Sequence, residues 1–404
     1  MIALEEARRL LAANCQPLGQ SLDSETVSLA DAAGRICASD IAAMVSVPPA
    51  DLSAMDGYAV RHADCAVGSR LQIVGESRAG TPFPGRIGSG EATLVSTGAH
   101  IPGGADRVLI LEDASRSDST VVVEQEQSGT GHIRRAGIDF ARGDALVSAG
   151  ERLTAARLAL LAAAGHGTAS VFKKPRVAIL TNGDELLDPG SEPGNASIYD
   201  SNSVALAAQL TAFGADASWI GRAGDSADEV ADMLARGDGS NLLVIAGGAS
   251  VGPHDLVKAA FGALGGEILF SKVAVRPGKP VWFGRLPSDP RVLGLPGNPA
   301  SSYVTALLFG KLAVETLAGL APPASLEQAL RHAAVSHDLE ANGPREMFQR
   351  AALTHGADAA TRIALTGAQD SSLLRPLAAA DALLFRKANA PAAGAGAIVP
   401  YLPL

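Results

Sequence analysis

The stretch 242–255, LLVIAGGASVGPHD, places the tightest constraint on what this chain can fold into. Five apolar residues from Leu242 to Ala246 make a run short enough for a fully buried strand and too short for a helix. Gly247 and Gly248 follow at once and remove side chains where the chain must turn sharply. The next helical pattern begins near His254, so backbone N–H groups are left pointing into an open loop that can hold an anion. Asp255, at the start of that helix, can hold a metal ion that bridges to a phosphate. The competing reading is an ordinary glycine-rich turn whose aspartate is favoured by the helix dipole.

Two further loops of the same kind bear on that choice. From Arg176 the pattern alternates: strand RVAIL, a helix over 201–213, strand ASWI, a helix over 227–235, strand LLVIA, and a helix from His254. Strands EILFSKVAV and RVLGL then lead into a long helix over 299–317. Repeated βαβ units predict a parallel sheet with helices on both faces, and such sheets bind ligands beyond the carboxyl ends of their strands. RVAIL is followed there by TNGDELLDPG, with Asp184 and Glu185 adjacent, and RVLGL by PGNPASS, whose Ser301 and Ser302 open a helix. Each loop alone is turn and cap chemistry. Together, with their carboxylates and serines, the three favour a phosphate-plus-metal site. In VAVRPGKPVWFG, Pro277 and Pro280 stiffen the chain around Gly278 while Arg276 and Lys279 supply two cations. These form either a solvated basic pair or a fixed pocket for a compact oxyanion.

The rest of the chain is organised around this region. A length of 404 residues exceeds one ordinary core and predicts several domains. Residues 56–144 change to a period of two, with short runs such as LQIV, RVLILE and TVVVEQE between Gly and Pro turns, which predicts a small all-β domain. Thr154 reads as the N-cap of a helix carrying Leu158, Leu160 and Leu161. That helix and the segment before Pro48 flank the β stretch as one unit interrupted by it, and beyond Pro322 and Pro323 the pattern returns to short β runs. A formal net charge of −9 argues against a nucleic-acid surface. No apolar run reaches the roughly 18 residues of a membrane helix, and MIALEEARRLLAAN reads as an amphipathic helix and not as a signal peptide, so a cytoplasmic protein is expected. Cys15, Cys37 and Cys65 have neither disulfide-like nor zinc-like spacing.

In order and spacing, SAMDGYAV, NGDEL, IYDSN, GGASVGPHD, RPGKP and LPGNPASS resemble the molybdopterin molybdenumtransferase (MoeA) family, whose eukaryotic relatives include the gephyrin E domain. The resemblance implies a multidomain α/β protein. Its parts are a molybdopterin-binding three-layer α/β domain with a parallel-type sheet (1–20 plus 170–322), a linking domain (21–46 plus 145–169), a β-rich insert (47–144) and a C-terminal β-barrel-like domain (323–404). It also implies a homodimer that inserts molybdate into adenylylated molybdopterin with Mg²⁺-dependent release of AMP. Transient contacts with the molybdopterin adenylyltransferase and with acceptor molybdoenzymes follow from that role.

Carried over by motif, Asp184, Glu185 and Asp255 are the metal ligands, and Asp56, Asp139, Glu185, Asp225 and Asp255 the catalytic carboxylates. Substrate binding falls to Thr97, Asn182, Gly183, Gly247, Gly248, Ser250, Gly252, Arg276, Pro277, Lys279, Pro296, Gly297, Asn298 and Ser301. Asp56 and Asp139 lie in or beside an insert that, in this family, reaches the partner's cleft; the alternative for Asp56 is a turn former before Gly57. The chain departs from the family pattern at Leu52, where Asn is usual, at Arg276, where Lys is common, and at Pro253 and His254. Two other functions compete: a non-catalytic scaffold on the same fold, and a nucleotide pyrophosphatase sharing only the GG loop. SAMDGYAV and RPGKP speak against the second.

Overall fold

A computed structural model describes residues 1–16, 23–129, 131–248, 256–287, 290–356 and 361–404, which fall into two compact units. One comprises Met1–Glu25, Gly34–Ile36 and Phe172–Leu404, the other Thr26–Ala33 and Cys37–Val171.

The first unit is built on a six-stranded sheet in the order Asp216–Ala223, Arg176–Asn182, Leu242–Ala246, Arg291–Leu295, Trp282–Arg285, Glu267–Ser271. Leu242–Ala246 is fully buried along its length because both faces of the sheet are covered. Val177 and Ile179 enter a core shared with the helices Leu4–Cys15 and Ser201–Ala212, whereas Ala178 and Leu180 enter the opposite core with Ala227–Arg236 and Leu256–Ala263. Strand order reverses beside Arg176–Asn182, whose sequential successor lies on one side and Leu242–Ala246 on the other. Parallel sheets open a crevice at such a reversal.

The sheet departs from the all-parallel expectation at one edge. Its first four strands run parallel, but Trp282–Arg285 and Glu267–Ser271 pair antiparallel. The connection from Arg285 to Arg291 is too short for a crossover, which needs a dozen or more residues, so Trp282–Arg285 and Arg291–Leu295 can be joined only as a hairpin. The expected helix over 299–317 is also interrupted: Pro299–Thr305 and Lys311–Leu317 are joined by a π-turn over Ala306–Gly310.

Toward the C-terminus, strands Glu346–His355, Thr361–Leu365, Arg331–Val335, Ile398–Pro403 and Ala382–Arg386 pair in that order, and the last pairs back onto the first. Closure removes the free sheet edges. Val335, Ala351, Ile363, Leu384 and Val399 are among the side chains that fill the interior. A short strand, Val275–Arg276, runs parallel to the start of Glu346–His355 and fastens RPGKP to this barrel.

The second unit holds another six-stranded sheet, in the order Arg107–Ile110, Gly57–Val60, Glu91–Val95, Arg70–Ser77, Thr120–Val123, Ala114–Ser117. A separate small core joins Ala32, Cys37, Ile41 and Val147 to Leu153, Leu161, Ala169 and Val171, with helix Ala155–Ala163 capped as expected by Thr154. Among the described residues no helix is long and apolar enough to cross a membrane.

Candidate active site

The strand-end loops of the parallel sheet are drawn together by backbone contacts that tolerate only glycine. Gly247 has φ +105°, and a Cβ there would stand 2.3 Å from the Asn182 carbonyl oxygen. At Gly248, with φ +63°, a Cβ would meet Val257 at 2.2 Å. Both the left-handed conformation and the close approach exclude other residues. Asn182 Nδ2 donates to the carbonyls of Ala223 (3.2 Å) and Gly224 (2.9 Å), tying the ends of neighbouring strands. Gly297 packs against Gly247, and its carbonyl accepts from Asn202 Nδ2 at 2.8 Å. Asp200, from IYDSN, is buried and caps its helix through the Ser203 N–H (2.9 Å) while accepting from Thr181 Oγ1 (2.7 Å).

Around this junction lie the carboxylates. Asp184 Oδ1 accepts the Asp225 N–H at 3.0 Å, and Glu229 Oε2 accepts the Gly224 N–H at 2.8 Å. A Cβ on Gly224 would stand 2.6 Å from each of those two oxygens, so the glycine leaves room for a pair of carboxylates. Glu229 is an addition to the expected set. Asp184, Glu185 and Asp225 are exposed. Among the described residues no three His, Cys, Asp or Glu side chains group as a closed metal site. The donor chemistry nevertheless fits Mg²⁺, which takes one or two carboxylates and keeps several waters. Gly183, at φ +147°, starts the turn that carries Asp184 and Glu185. Ser250, Gly252 and Asp255 lie outside the described residues.

A second feature is a cavity of about 350 Å³. RPGKP gives it Arg276, Pro277, Gly278, Lys279 and Pro280; the strand-end loop and helix start give Pro296, Asn298 and Ser301. The barrel adds Arg345, residues 347–350, Gln369, Asp370 and Ser371. Gly278 has φ +110°, and a Cβ there would stand 2.2 Å from the Thr305 methyl, so RPGKP lies directly on the helix. The Arg276–Pro277 peptide is cis. Among the described residues the side chains of Arg276, Lys279 and Arg345 make no hydrogen bond or ion pair. Three uncommitted cations around a small cavity suit a compact oxyanion. Asp370 is the acidic counterpart, and its bonds from Ser372 hold its carboxyl below the ordinary range.

Arg276, Pro277, Lys279, Pro296, Asn298 and Ser301 are legible in the sequence as candidates, whereas Arg345, Arg350, Gln369, Asp370 and Ser371 are not. The only available signal for these was a pair of arginines bracketing an alternating run in PREMFQR.

In the second unit, Asp56 Oδ1 accepts from Thr97 N (2.7 Å) and Oγ1 (3.2 Å), so these two expected residues meet. Both are exposed. Asp139 is exposed as well and is fixed through its backbone, N–H to the Val47 carbonyl at 3.1 Å.

Comparison with known proteins gives these features a context. Family models match along the chain: MoeA N-terminal region (domain I and II) over 2–165, probable molybdopterin binding domain over 178–316, and MoeA C-terminal region (domain IV) over 332–404. A molybdopterin molybdenumtransferase of Haemophilus influenzae is 35% identical over 307 residues, 76% of this chain and 75% of that one. Molybdopterin molybdenumtransferase 2 of Mycobacterium tuberculosis is 33% identical over 398 residues, 95% of each chain. The chain belongs to the molybdopterin molybdenumtransferase (MoeA) family. A crystal structure of the molybdopterin biosynthesis MoeA protein from Pyrococcus horikoshii superposes with a TM-score of 0.78 at 28% identity, over 100% of this chain and 99% of that one. In MoeA terms, the cavity takes Arg276 to Ser301 from the stretch matched as molybdopterin binding and Arg345 to Ser371 from the stretch matched as the C-terminal region.

Proposed function

We propose that this protein works in molybdenum cofactor biosynthesis, inserting molybdate into molybdopterin, and that its substrate is the adenylylated form with AMP as leaving product. Membership of the molybdopterin molybdenumtransferase family supports the overall reaction. The observation that carries the assignment to a site is the cavity with three uncommitted cations, which shares Pro296 and Asn298 with a strand-end loop. A doubly charged tetrahedral oxyanion cannot leave water without such compensation.

In this reading Arg276, Lys279 and Arg345 bind the oxyanion, and Asn298 and Ser301 orient it. The glycine loops at Asn182–Gly183 and Gly247–Gly248 leave space for the phosphate groups, and the Gly248 N–H is the backbone donor for them, because the N–H groups of Gly183 and Gly247 already go to the carbonyls of Ala223 (3.2 Å) and Leu295 (3.3 Å). Asp184 and Glu185, with Asp255, would hold Mg²⁺, which when bound neutralises charge on the phosphoanhydride. Asp225 and Glu229 keep Asp184 and Gly224 in place through their backbone N–H and carboxylate bonds respectively. The active form is a cytoplasmic homodimer in which Asp56 and Asp139 serve the partner's site, with transient contacts to the molybdopterin adenylyltransferase and to acceptor molybdoenzymes.

The deciding experiment incubates the purified protein with adenylylated molybdopterin, Mg²⁺ and molybdate, and follows AMP release and reconstitution of an apo-molybdoenzyme. Molybdate-stimulated AMP release that excess chelator abolishes is expected. Binding of the pterin without turnover would return the protein to the scaffold class, and equal release in chelator would remove the metal.

A further inference from the structure

Arg350 lines the cavity yet differs from its other cations. It is only 3% exposed, and every donor it uses is engaged. Nη1 donates to the carbonyls of Asp370 (2.8 Å) and Leu373 (3.1 Å), Nη2 to that of Ala368 (3.2 Å), and Nε to Gln369 Oε1 (3.3 Å). Gln369 answers in both directions, its Oε1 accepting the Arg350 N–H at 2.8 Å and its Nε2 donating to the Arg350 carbonyl at 3.1 Å. The acceptors are neutral amide oxygens. Burial accordingly pushes the guanidinium below its ordinary pKa, and nearby Asp370 only partly offsets this. A buried cation is costly unless hydrogen-bonded, so the residue is not a generic barrel filler.

What those bonds hold is a single loop, and that loop reaches the other side of the cavity. Ser371, inside it, accepts from Asn298 Nδ2 through its Oγ (2.9 Å) and from the Ala300 N–H through its carbonyl (3.0 Å). Asn298 is the N-cap of helix Pro299–Thr305 yet makes no side-chain cap bond, because its amide is turned to Ser371. The path therefore runs from Arg350, through the loop over 368–373, to the two residues where RVLGL gives way to the helix carrying Ser301.

We propose that Arg350 is a positioning residue for the oxyanion pocket, fixing the 368–373 loop so that Ser371 sets Asn298 and the first turn of the helix at the distance an oxyanion requires. This rests on the assignment of the cavity to the oxyanion. All three guanidinium nitrogens of Arg350 already donate to acceptors of that loop, so Arg350 acts on the oxyanion through the loop, and its loss affects oxyanion affinity and leaves the saturated turnover intact.

The test is molybdate-dependent AMP release by the full-length protein at saturating adenylylated molybdopterin, for Arg350→Met, Arg350→Lys, Ser371→Ala and Lys279→Ala, with thermal unfolding of each. For Arg350→Met the half-saturating molybdate concentration should rise about tenfold or more, the loss of roughly one charge-assisted bond's contribution, with turnover at saturation within about twofold. Arg350→Lys, which keeps the charge and one donor, should recover part of the affinity. Should Arg350→Met fail to fold, Ser371→Ala carries the test: it leaves the guanidinium in place and should show the same split at a smaller size. A fall in turnover or stability with unchanged molybdate dependence in the folded variants overturns the proposal. If Lys279→Ala shifts the dependence and the Arg350 and Ser371 variants do not, positioning is wrong and the pocket stands. If Lys279→Ala also leaves it unchanged, the pocket assignment falls and the proposal with it.

Discussion

Lys279 and Glu185 represent the two halves of the proposed site, and each yields a distinct outcome. Lys279 is exposed and its side chain has no protein partner among the described residues, so its ammonium is available to an anion. Replacing it with Ala should raise the molybdate concentration for half-maximal turnover by about ten- to a hundredfold, in line with a lost charge-assisted bond of roughly 1.5–3 kcal/mol. Stability should change little, because an exposed lysine holds nothing in place. Arg276→Lys should be milder, the charge being retained and only the planar fork lost. Glu185→Gln should lower turnover at limiting Mg²⁺ and raise the Mg²⁺ requirement with an unaltered unfolding midpoint; a large stability loss would instead mark the carboxylate as structural. The sequence singles these residues out as candidates because cations and carboxylates gathered at strand ends are uncommon as plain turn chemistry. Glu229 is not singled out, since within SADEV it reads as an ordinary first-turn acid of a helix.

At the scale of elements, two junctions shape the candidate site. One is Asp200, which caps helix Ser201–Ala212 and bonds Thr181 on the adjacent strand. Asp200→Ala removes the cap, worth about 1 kcal/mol, and leaves Thr181 short of a partner in a buried setting at a further ~1–3 kcal/mol. A fall of that order in unfolding free energy by urea denaturation is expected. The other is the pairing of Val275–Arg276 with the start of Glu346–His355. Glu346 sits in that pairing with its pKa raised, first by burial and then by Glu5, with Lys387 pulling the other way. A carboxyl whose folded pKa is raised favours the folded state most below its unfolded value near pH 4.3, and that contribution is lost as pH rises through the folded value. Glu346→Gln should therefore raise the unfolding midpoint at neutral pH, with the gain shrinking toward pH 4. An equal gain at both pH values would show that charge is not the cause. The helices and parallel strands here were readable from periodicity, but the hairpin edge of the sheet and the π-turn were not, because each depends on how neighbouring segments pack.

For the whole molecule, the proposal of a shared site predicts complementation. An Asp56→Ala chain and a Glu185→Ala chain, each inactive alone, should regain part of the activity when subunits exchange, since some heterodimers then carry one intact site. No recovery after exchange confirmed by native mass spectrometry would count against Asp56 acting in the partner. Asp56 is compatible with such a role: it is exposed, and Thr97 holds only one of its oxygens, leaving the other to a ligand.

The sequence by itself determined the four parallel strands of the sheet, because a five-residue apolar run followed by paired glycines has few other uses, and it singled out the strand-end loops as the candidate site, because ligand-binding turns need residue types that local structure alone does not. It also placed Arg276 and Lys279 together, since only four residues contain both. Tertiary structure decided what surrounds them. Arg345, Arg350 and Ser371 reach the cavity through the pairing of Val275–Arg276 with the barrel and through a loop held by a buried guanidinium. Contacts between segments so far apart in the chain leave no periodicity to read, and their geometry is set only when the closed barrel and the helix start are packed against each other.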